Sequence, residues 1–225
     1  MLSKLQLSSK PNVPIPVQEN ISLDRFADLG ARDPDIAWPV FQALWAELTQ
    51  PSKPEKDGFA RPAVLLCLDS LGHVMRDSSY LDGDVKPIHA HDLLMVRHFV
   101  DHLSGARTLP NGGMVLAAHS ESNKPACPAL EFAVEQNEAR AAGHEVPQWD
   151  PYKVVDRRVL QAMKEVEVVR LQGLSREEAR GIMEYYAASG MLRSTVSDGL
   201  VSEKWTLAGG GIVGELERNS VRMRI

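Results

Sequence analysis

The sequence lacks several features that define large classes of proteins. It contains no apolar run near the roughly 20 residues that a membrane-spanning helix needs, so we expect no membrane partner. Its two cysteines, Cys67 and Cys127, provide no disulfide framework and suit a reducing compartment. The formal net charge of −5 argues against a broad basic surface that grips nucleic acid by its phosphates. The phosphate-binding motif G-x-x-x-x-G-K-[ST] does not occur in the sequence.

What is present is typical of an ordinary globular protein. Hydrophobic residues make up 44% of the chain and charged residues 24%. A length of 225 residues suits one large domain, or one domain with a small appendage, and is ample for a real core.

The most informative stretch is the apolar run Val64–Leu68, which follows Pro62 and stops at Asp69. A short unbroken apolar run predicts a strand that is buried on both faces, as in parallel sheets covered by helices. Asp69 would then lie at the carboxyl edge of the sheet, where open α/β folds bind ligands. An apolar strand followed by Asp is also how P-loop proteins hold Mg²⁺.

A second strand is predicted over residues 114–119, after the pair Gly112-Gly113. An amphipathic helix over residues 88–104 would connect it to the first strand, which makes a strand–helix–strand unit with adjacent, parallel strands. A third strand is predicted over residues 166–171, and strands 114–119 and 166–171 could lie together or leave a gap with an exposed, incompletely covered core.

Three histidines recur on one side of the predicted connecting helix, opposite its apolar residues. His91, His98 and His102 are separated by seven and four residues, and both separations return to one helical face. Three such side chains could bind zinc. Since no cysteine or acidic ligand is placed beside them, we predict instead a polar face toward solvent, and we rank a metal-dependent enzyme well below other functions.

Helix signals occur elsewhere along the chain. We predict a short helix ending at Gly30, a helix capped by Asp33 with Pro34 in its first turn, and a helix near residues 129–140. We further predict a helix capped by Asp150 and ending at Met163, and a helix that a capping box starts at Ser175.

Polar residues after the second strand, including His119 and Ser120, would emerge beside Asp69. A serine hydrolase has to be considered for such a group. However, no G-x-S-x-G elbow is present and no oxyanion-hole glycines flank the serine, so we disfavour hydrolase chemistry.

Taken together, several segments resemble one family. They are the Asp33–Leu48 helix, the Asp69 strand, the Gly112-Gly113 strand and the segment Leu174–Gly190 with Ser175-Arg176-Glu177-Glu178 and Tyr185-Tyr186. In order and spacing they are similar to the carboxyl half of the mitochondrial small-ribosomal-subunit proteins of the death-associated protein three family, and most similar to its fungal members. The similarity covers roughly residues 18–225.

The resemblance implies an α/β fold, namely a partial AAA+-like P-loop NTPase fold with a parallel sheet flanked by helices and a helical carboxyl-terminal part. We therefore expect an incomplete P-loop-type core over residues 1–172, with an extended amino-terminal segment, and a helical lid-like region over residues 173–225. The resemblance also implies that members of the family bind a guanine nucleotide. Asp69 matches its Mg²⁺-side acid, and Asp69 and Ser120 are the positions that we expect on the vestigial nucleotide side.

The sequence departs from the family where the phosphates are bound. The resemblance implies that the family's phosphate-binding loop lies in an amino-terminal half, which we expect this chain to lack. Ser70 also stands where active ATPases of this fold carry a Glu that orients water. We therefore expect no enzyme activity and no cofactor in this chain alone. GTP or GDP with Mg²⁺ is an expectation for full-length family members.

The resulting hypothesis is a structural component of the mitochondrial ribosomal small subunit, located in the mitochondrial matrix. Its partners would be small-subunit ribosomal proteins and rRNA, with an intersubunit bridge to the large subunit as a further option. The alternative is a guanine-nucleotide-dependent regulator that a missing amino-terminal half or another chain completes.

Overall fold

The computed structural model describes residues 6–8, 10–51, 61–119 and 125–221. The chain packs as two compact units, Met1–Glu167 and Val168–Ile225. No helix among the described residues is long and apolar enough to cross a membrane.

The first unit begins with a helical pair, α1 (Leu23–Arg32) and α2 (Pro34–Thr49). As predicted, Asp33 caps α2 by accepting a hydrogen bond from the Asp35 amide, and Pro34 occupies the first turn. The predicted end of α1 at Gly30 is wrong. A Cβ at Gly30 would lie only 2.9 Å from Val40 Cγ1, so this glycine serves the close packing of α1 on α2 rather than a helix stop.

A buried carboxylate on α2 ties the amino-terminal segment to the start of the sheet. Glu47 is 5% exposed and forms an ion pair with Arg61, which is 7% exposed. The same carboxylate accepts hydrogen bonds from the Ser8 amide (3.1 Å), the Ser8 hydroxyl (2.9 Å) and Gln50 Nε2 (2.7 Å). Because several donors meet at one buried charge, Glu47 organises this end of the unit.

The sheet that follows is small and parallel. Strand β1 (Val64–Leu68) pairs with β4 (Gly113–Ala117) in parallel, and the register runs from Val64 opposite Gly113 to Leu68 opposite Ala117. Helix α3 (Leu94–Leu103) lies between the two strands in the chain. The predicted parallel pairing is confirmed.

The prediction that these strands are buried on both faces is wrong. Burial alternates along β1 and β4, and one face of the pair points to solvent. That face carries Leu65 (62% exposed), Met114 (60%) and Leu116 (52%), with the exposed Cys67 among them.

A hairpin precedes α3, and it includes residues 88 and 89, where the predicted helix was expected to start. Strand β2 (Asp77–Leu81) pairs antiparallel with β3 (Pro87–His89), and a single 3-10 turn, Ala90–Asp92, leads to α3. The helix predicted from residue 88 therefore begins at Leu94. The residues before it stay extended because the Ala90 amide donates to the Arg76 carbonyl (2.9 Å).

Helices α4 (Pro128–Ala141) and α5 (Arg157–Met163) complete the first unit. The helix predicted near residues 129–140 is confirmed. The cap predicted at Asp150 is wrong, because Asp156 caps α5 by accepting a hydrogen bond from the Arg158 amide (2.9 Å).

Helices α4 and α5 pack with α3 and the end of β1 around one core. Its buried members are Leu71, Met75, Val100, Cys127, Ala129, Leu130, Ala133, Val159, Ala162 and Met163.

The third strand predicted over residues 166–171 is wrong. The described chain is irregular there, and Val169 and Leu171 are 74% and 89% exposed. After α5 the backbone is held by α4 instead, since Asn137 Nδ2 donates to the carbonyls of Met163 (2.7 Å) and Val166 (2.8 Å). A β-prone segment forms a strand only where it has a neighbour to pair with.

The second unit consists of α6 (Arg176–Ala188), α7 (Asp198–Leu207) and α8 (Val213–Ser220). The capping box at Ser175 and Glu178 is confirmed. A Cβ at Gly211 would overlap the Leu174 carbonyl oxygen, so this glycine is required for the close approach of the two loops. The helices enclose a separate core whose buried members are Ala179, Met183, Leu192, Val201, Ala208 and Leu216.

Candidate functional site

The carboxyl edge of the small sheet is where the sequence predicts a nucleotide-side site. The ladder continues past the ends of β1 and β4, because the Ala118 amide donates to the Leu68 carbonyl and the Leu71 amide to the Ala118 carbonyl, both at 2.8 Å. These bonds bring Asp69 and His119 to the same edge of the sheet. The placement that the sequence predicts for His119 is confirmed.

Asp69 itself is exposed at this edge. Its Oδ1 accepts a hydrogen bond from the Ser70 amide (2.7 Å), and Ser70 adopts the left-handed conformation with φ 60° and ψ 48°. The tight bend turns the chain directly into the 3-10 turn Leu71–His73. One carboxylate that already accepts a backbone amide is a weak ligand set for a cation.

The other predicted position at this edge, Ser120, lies outside the described residues. His119 is described, and its ring packs against Gly72, where a Cβ would lie 2.7 Å from His119 Cε1. Within the described ranges, no group of three or more His, Cys, Asp or Glu side chains is arranged to hold a metal ion.

The predicted solvent-facing histidines are instead buried, so that prediction is wrong. His98 is 7% exposed and His102 is 5% exposed. Both pack against aromatic rings of α2, with ring centroids 4.8 Å apart for Trp45 and His98 and 5.1 Å apart for Trp45 and His102. Helix α3 is therefore covered on the side that sequence periodicity assigned to water.

The local chemistry of the α3 histidines favours a structural role. His102 Nδ1 donates to the carbonyl of His98 (2.7 Å), one helical turn earlier. Burial, and then the neighbouring His102, lower the pKa of His98 below its usual value. A neutral His98 ring against the aromatic side chains of α2 stabilises the contact of α3 with α2.

His91 does not lie on the helix but in the preceding 3-10 turn, where it is 9% exposed. Its Nε2 lies 3.2 Å from the sulfur of Met75. Burial, with the neighbouring His89, lowers the pKa of His91 to about 4. This side chain is thus a neutral core residue at physiological pH.

Next to it, His89 and Asp156 connect the hairpin to α5. His89 is 3% exposed, and its Nε2 lies 3.0 Å from Asp156 Oδ2, although not in good hydrogen-bond alignment. His89 Nδ1 accepts the His91 amide (3.1 Å), which places the ring proton of a neutral His89 on Nε2, facing the carboxylate. Asp156 also caps α5, so one carboxylate serves both elements.

Two exposed features went unrecognised in the sequence: the outer apolar face of the sheet and the β2–β3 hairpin. The run Val64–Leu68 has no polar alternation, so nothing in it distinguishes a one-sided from a two-sided strand. The hairpin did carry a signal, because the dipeptide Asp82-Gly83 is a common turn former.

Residues 1–219 match the family described as mitochondrial ribosomal death-associated protein 3. The chain belongs to this family. The resemblance inferred from the sequence is confirmed, and the family is one of mitochondrial ribosomal proteins.

Two curated relatives agree with this assignment. The small ribosomal subunit protein mS29 of Neurospora crassa is 51% identical over 193 residues, which are 85% of this chain and 40% of that protein. The protein of the same name from Schizosaccharomyces pombe is 26% identical over 147 residues, which are 65% of this chain and 28% of that protein. The chain thus spans well under half the length of the curated relatives it matches.

Proposed function

We propose that this chain is a structural component of the mitochondrial ribosomal small subunit without catalytic activity of its own. The observation that carries the proposal is the family match over residues 1–219, together with the 51% identity to a protein named as part of the small ribosomal subunit. The chain would act in the mitochondrial matrix, bound to the ribosome.

Its partners would be small-subunit ribosomal proteins and rRNA, with a bridge to the large subunit as a further option. The net charge of −5 indicates that protein surfaces contribute more of this binding than phosphates do. A protein of this charge can join a ribonucleoprotein by docking on basic ribosomal proteins.

The proposed core is a degenerate P-loop-type domain. Two features support this: the parallel β1–β4 pair, and the acidic residue Asp69 at its carboxyl edge. The sequence supplies neither the phosphate-binding loop nor the water-orienting Glu, so this chain alone would bind no cofactor tightly. GTP or GDP with Mg²⁺, held on the Asp69 and Ser120 side, remains a proposal for longer family members.

The exposed outer face of the sheet supports the proposal that the core of this domain is incompletely covered. Leu65, Met114 and Leu116 are each more than half exposed on one side of a two-stranded sheet. Water-facing apolar residues in a row are costly in a protein that stands alone and usually mark a surface that other polypeptide covers. The alternative function, a nucleotide-dependent regulator completed by other polypeptide, would use the same surface.

Binding to purified mitochondrial small subunits tests the proposal. The full chain is mixed with subunits depleted of the endogenous protein and sedimented through a gradient, without nucleotide and with GTP and Mg²⁺. Co-sedimentation at the same level in both conditions is expected. Binding that requires GTP, or a sub-micromolar Kd for GTP measured by calorimetry, would favour the regulator, and absence of binding in both conditions would contradict the proposal.

A further inference from the structure

The β2–β3 hairpin exposes large apolar side chains around its tip. Tyr80 is 65% exposed, Leu81 is 54% exposed and Val85 is 72% exposed. Tyr80 and Leu81 are the last two residues of β2, and Val85 lies within the five-residue connection, residues 82–86, that leads to β3. Single exposed apolar residues are ordinary, but three of them within six residues of one hairpin are typical of an interaction surface.

Hydrogen bonds from one side chain and from the backbone hold the tip together. Asp82 Oδ1 accepts hydrogen bonds from the amides of Asp84 and Lys86, both at 2.9 Å. The backbone closes the same loop, because the Asp82 amide donates to the Lys86 carbonyl (2.9 Å) and the Val85 amide to the Asp82 carbonyl (3.1 Å). The apolar side chains are therefore presented on a preorganised loop.

Val85 occupies a conformation that its side chain disfavours. Its φ is +62°, in the left-handed region, where Gly or Asn is usual and a β-branched residue is strained. A loop that only reverses the chain would be more stable with Gly or Asn there. The strained, exposed valine thus indicates that its apolar side chain has a function of its own, namely contact with a partner.

The charge at the tip defines the chemistry of the partner. Asp82 and Asp84 provide two carboxylates, and Lys86 Nζ lies 3.6 Å from Asp84 Oδ2. A tip with more acid than base is a poor ligand for a phosphate backbone. It complements an apolar pocket that is bordered by lysine or arginine side chains.

We propose that the hairpin tip, formed by Tyr80, Leu81 and Val85, docks into an apolar pocket of a basic ribosomal protein. This inference rests on the proposed function, because it takes the partner to be a component of the small subunit. Tyrosine at the centre of such a contact supplies a large apolar surface with a polar end, and residues of this kind carry much of the energy of protein interfaces.

Photocrosslinking identifies the partner directly. Benzoylphenylalanine replaces Tyr80 in the full chain, or Tyr152 as a matched control, since Tyr152 is also highly exposed but lies outside the hairpin. Each variant is bound to purified mitochondrial small subunits and irradiated. We expect the Tyr80 probe to label one basic ribosomal protein that the Tyr152 probe does not label. Labelling of rRNA, or identical products from both positions, would overturn the proposal.

Affinity measurements test the contribution of the apolar groups. The variant Tyr80→Ser/Leu81→Ser/Val85→Asn should keep the fold, because all three side chains are exposed and Asn tolerates a positive φ. We expect its affinity for the subunit to fall at least tenfold, while Val154→Ser, at a residue that is 98% exposed, leaves it unchanged. If the wild-type chain and the hairpin variant bind the subunit equally well, only the hairpin proposal is overturned. If the wild-type chain itself does not bind, the proposed function is contradicted as well.

Discussion

Gly113 lies so close to Val64 that a Cβ at Gly113 would overlap the Val64 carbonyl oxygen. The two residues face each other at the first register position of β1 and β4, and the Val64 amide donates to the carbonyl of the preceding Gly112 (3.2 Å). Gly113 also has φ +148°, which L-residues rarely adopt. The start of the parallel sheet thus depends on the absence of one methyl group.

Gly113→Ala is accordingly expected to destabilise the chain by about 2 kcal/mol or more, because strain and steric overlap add at this site. Gly105→Ala is the matched control, since Gly105 also has positive φ (+77°) but has open space where a Cβ would stand. The control should cost only about 1 kcal/mol. Urea unfolding of both variants measures the difference, and equal losses would contradict the described register.

Loss of the Glu47 carboxylate should be among the most damaging single changes on α2. Glu47→Gln removes the charge that faces the buried Arg61 while keeping the shape of the side chain. Removing one partner of a buried ion pair costs about 3–5 kcal/mol. Glu203→Gln, in the exposed pair with Lys204, should cost less than about 1 kcal/mol. Similar unfolding midpoints for the two variants would show that the buried Glu47 network contributes little to stability.

His91 should make stability depend on pH between about 6.5 and 4. Its pKa in the folded chain is lowered to about 4 from the usual 6.5, so the unfolded chain binds more protons in this window. The contribution to stability is fully present above pH 6.5 and is lost as the pH falls toward 4, by up to roughly 3 kcal/mol.

His91→Gln should therefore flatten the pH dependence of the unfolding free energy in this window. His144→Gln, at an exposed histidine, is the control and should leave the wild-type slope. Urea unfolding at several pH values checks the prediction. A slope that is unchanged in His91→Gln would mean that the buried ring does not exclude the proton.

Parts of this fold could be predicted because the deciding interactions are local. The capping box at Ser175 and the Asp33-Pro34 helix start involve residues within one turn of each other, and both are confirmed. The parallel pairing was also predictable, since two apolar runs joined by a helix have few other arrangements.

Several of the wrong predictions concern neighbours that are distant in sequence. Amphipathic periodicity placed His98 and His102 toward solvent, but the aromatic stripe of α2 covers them, and periodicity carries no information about a second helix. The segment 166–171 has strand propensity, but the part of the chain that the structure describes places no strand beside it. At the candidate site, the order and direction of the strands predicted that Asp69 and Ala118 lie at the same edge of the sheet. They did not predict the left-handed conformation of Ser70.

The outer face of the sheet should promote association when the chain is alone in solution. Leu65→Thr/Met114→Thr/Leu116→Thr changes only half-exposed or more exposed side chains, and threonine suits a strand. We expect less concentration-dependent association in sedimentation velocity, with nearly unchanged thermal stability. Leu68→Thr, which points to the core, should instead lower the unfolding temperature. If the outer-face variant associates as strongly as wild type, this surface is not the one that other polypeptide covers.

The central claim is that the chain is a stoichiometric part of the small subunit rather than a factor that visits it. Its direct test is the copy number of this polypeptide in gradient-purified mitochondrial small subunits, measured by quantitative mass spectrometry against known ribosomal proteins, with and without GTP in the buffers. A structural role predicts about one copy for each subunit in both conditions, because binding depends on protein surfaces rather than on a bound nucleotide. A copy number far below one, or one that changes with GTP, would contradict it.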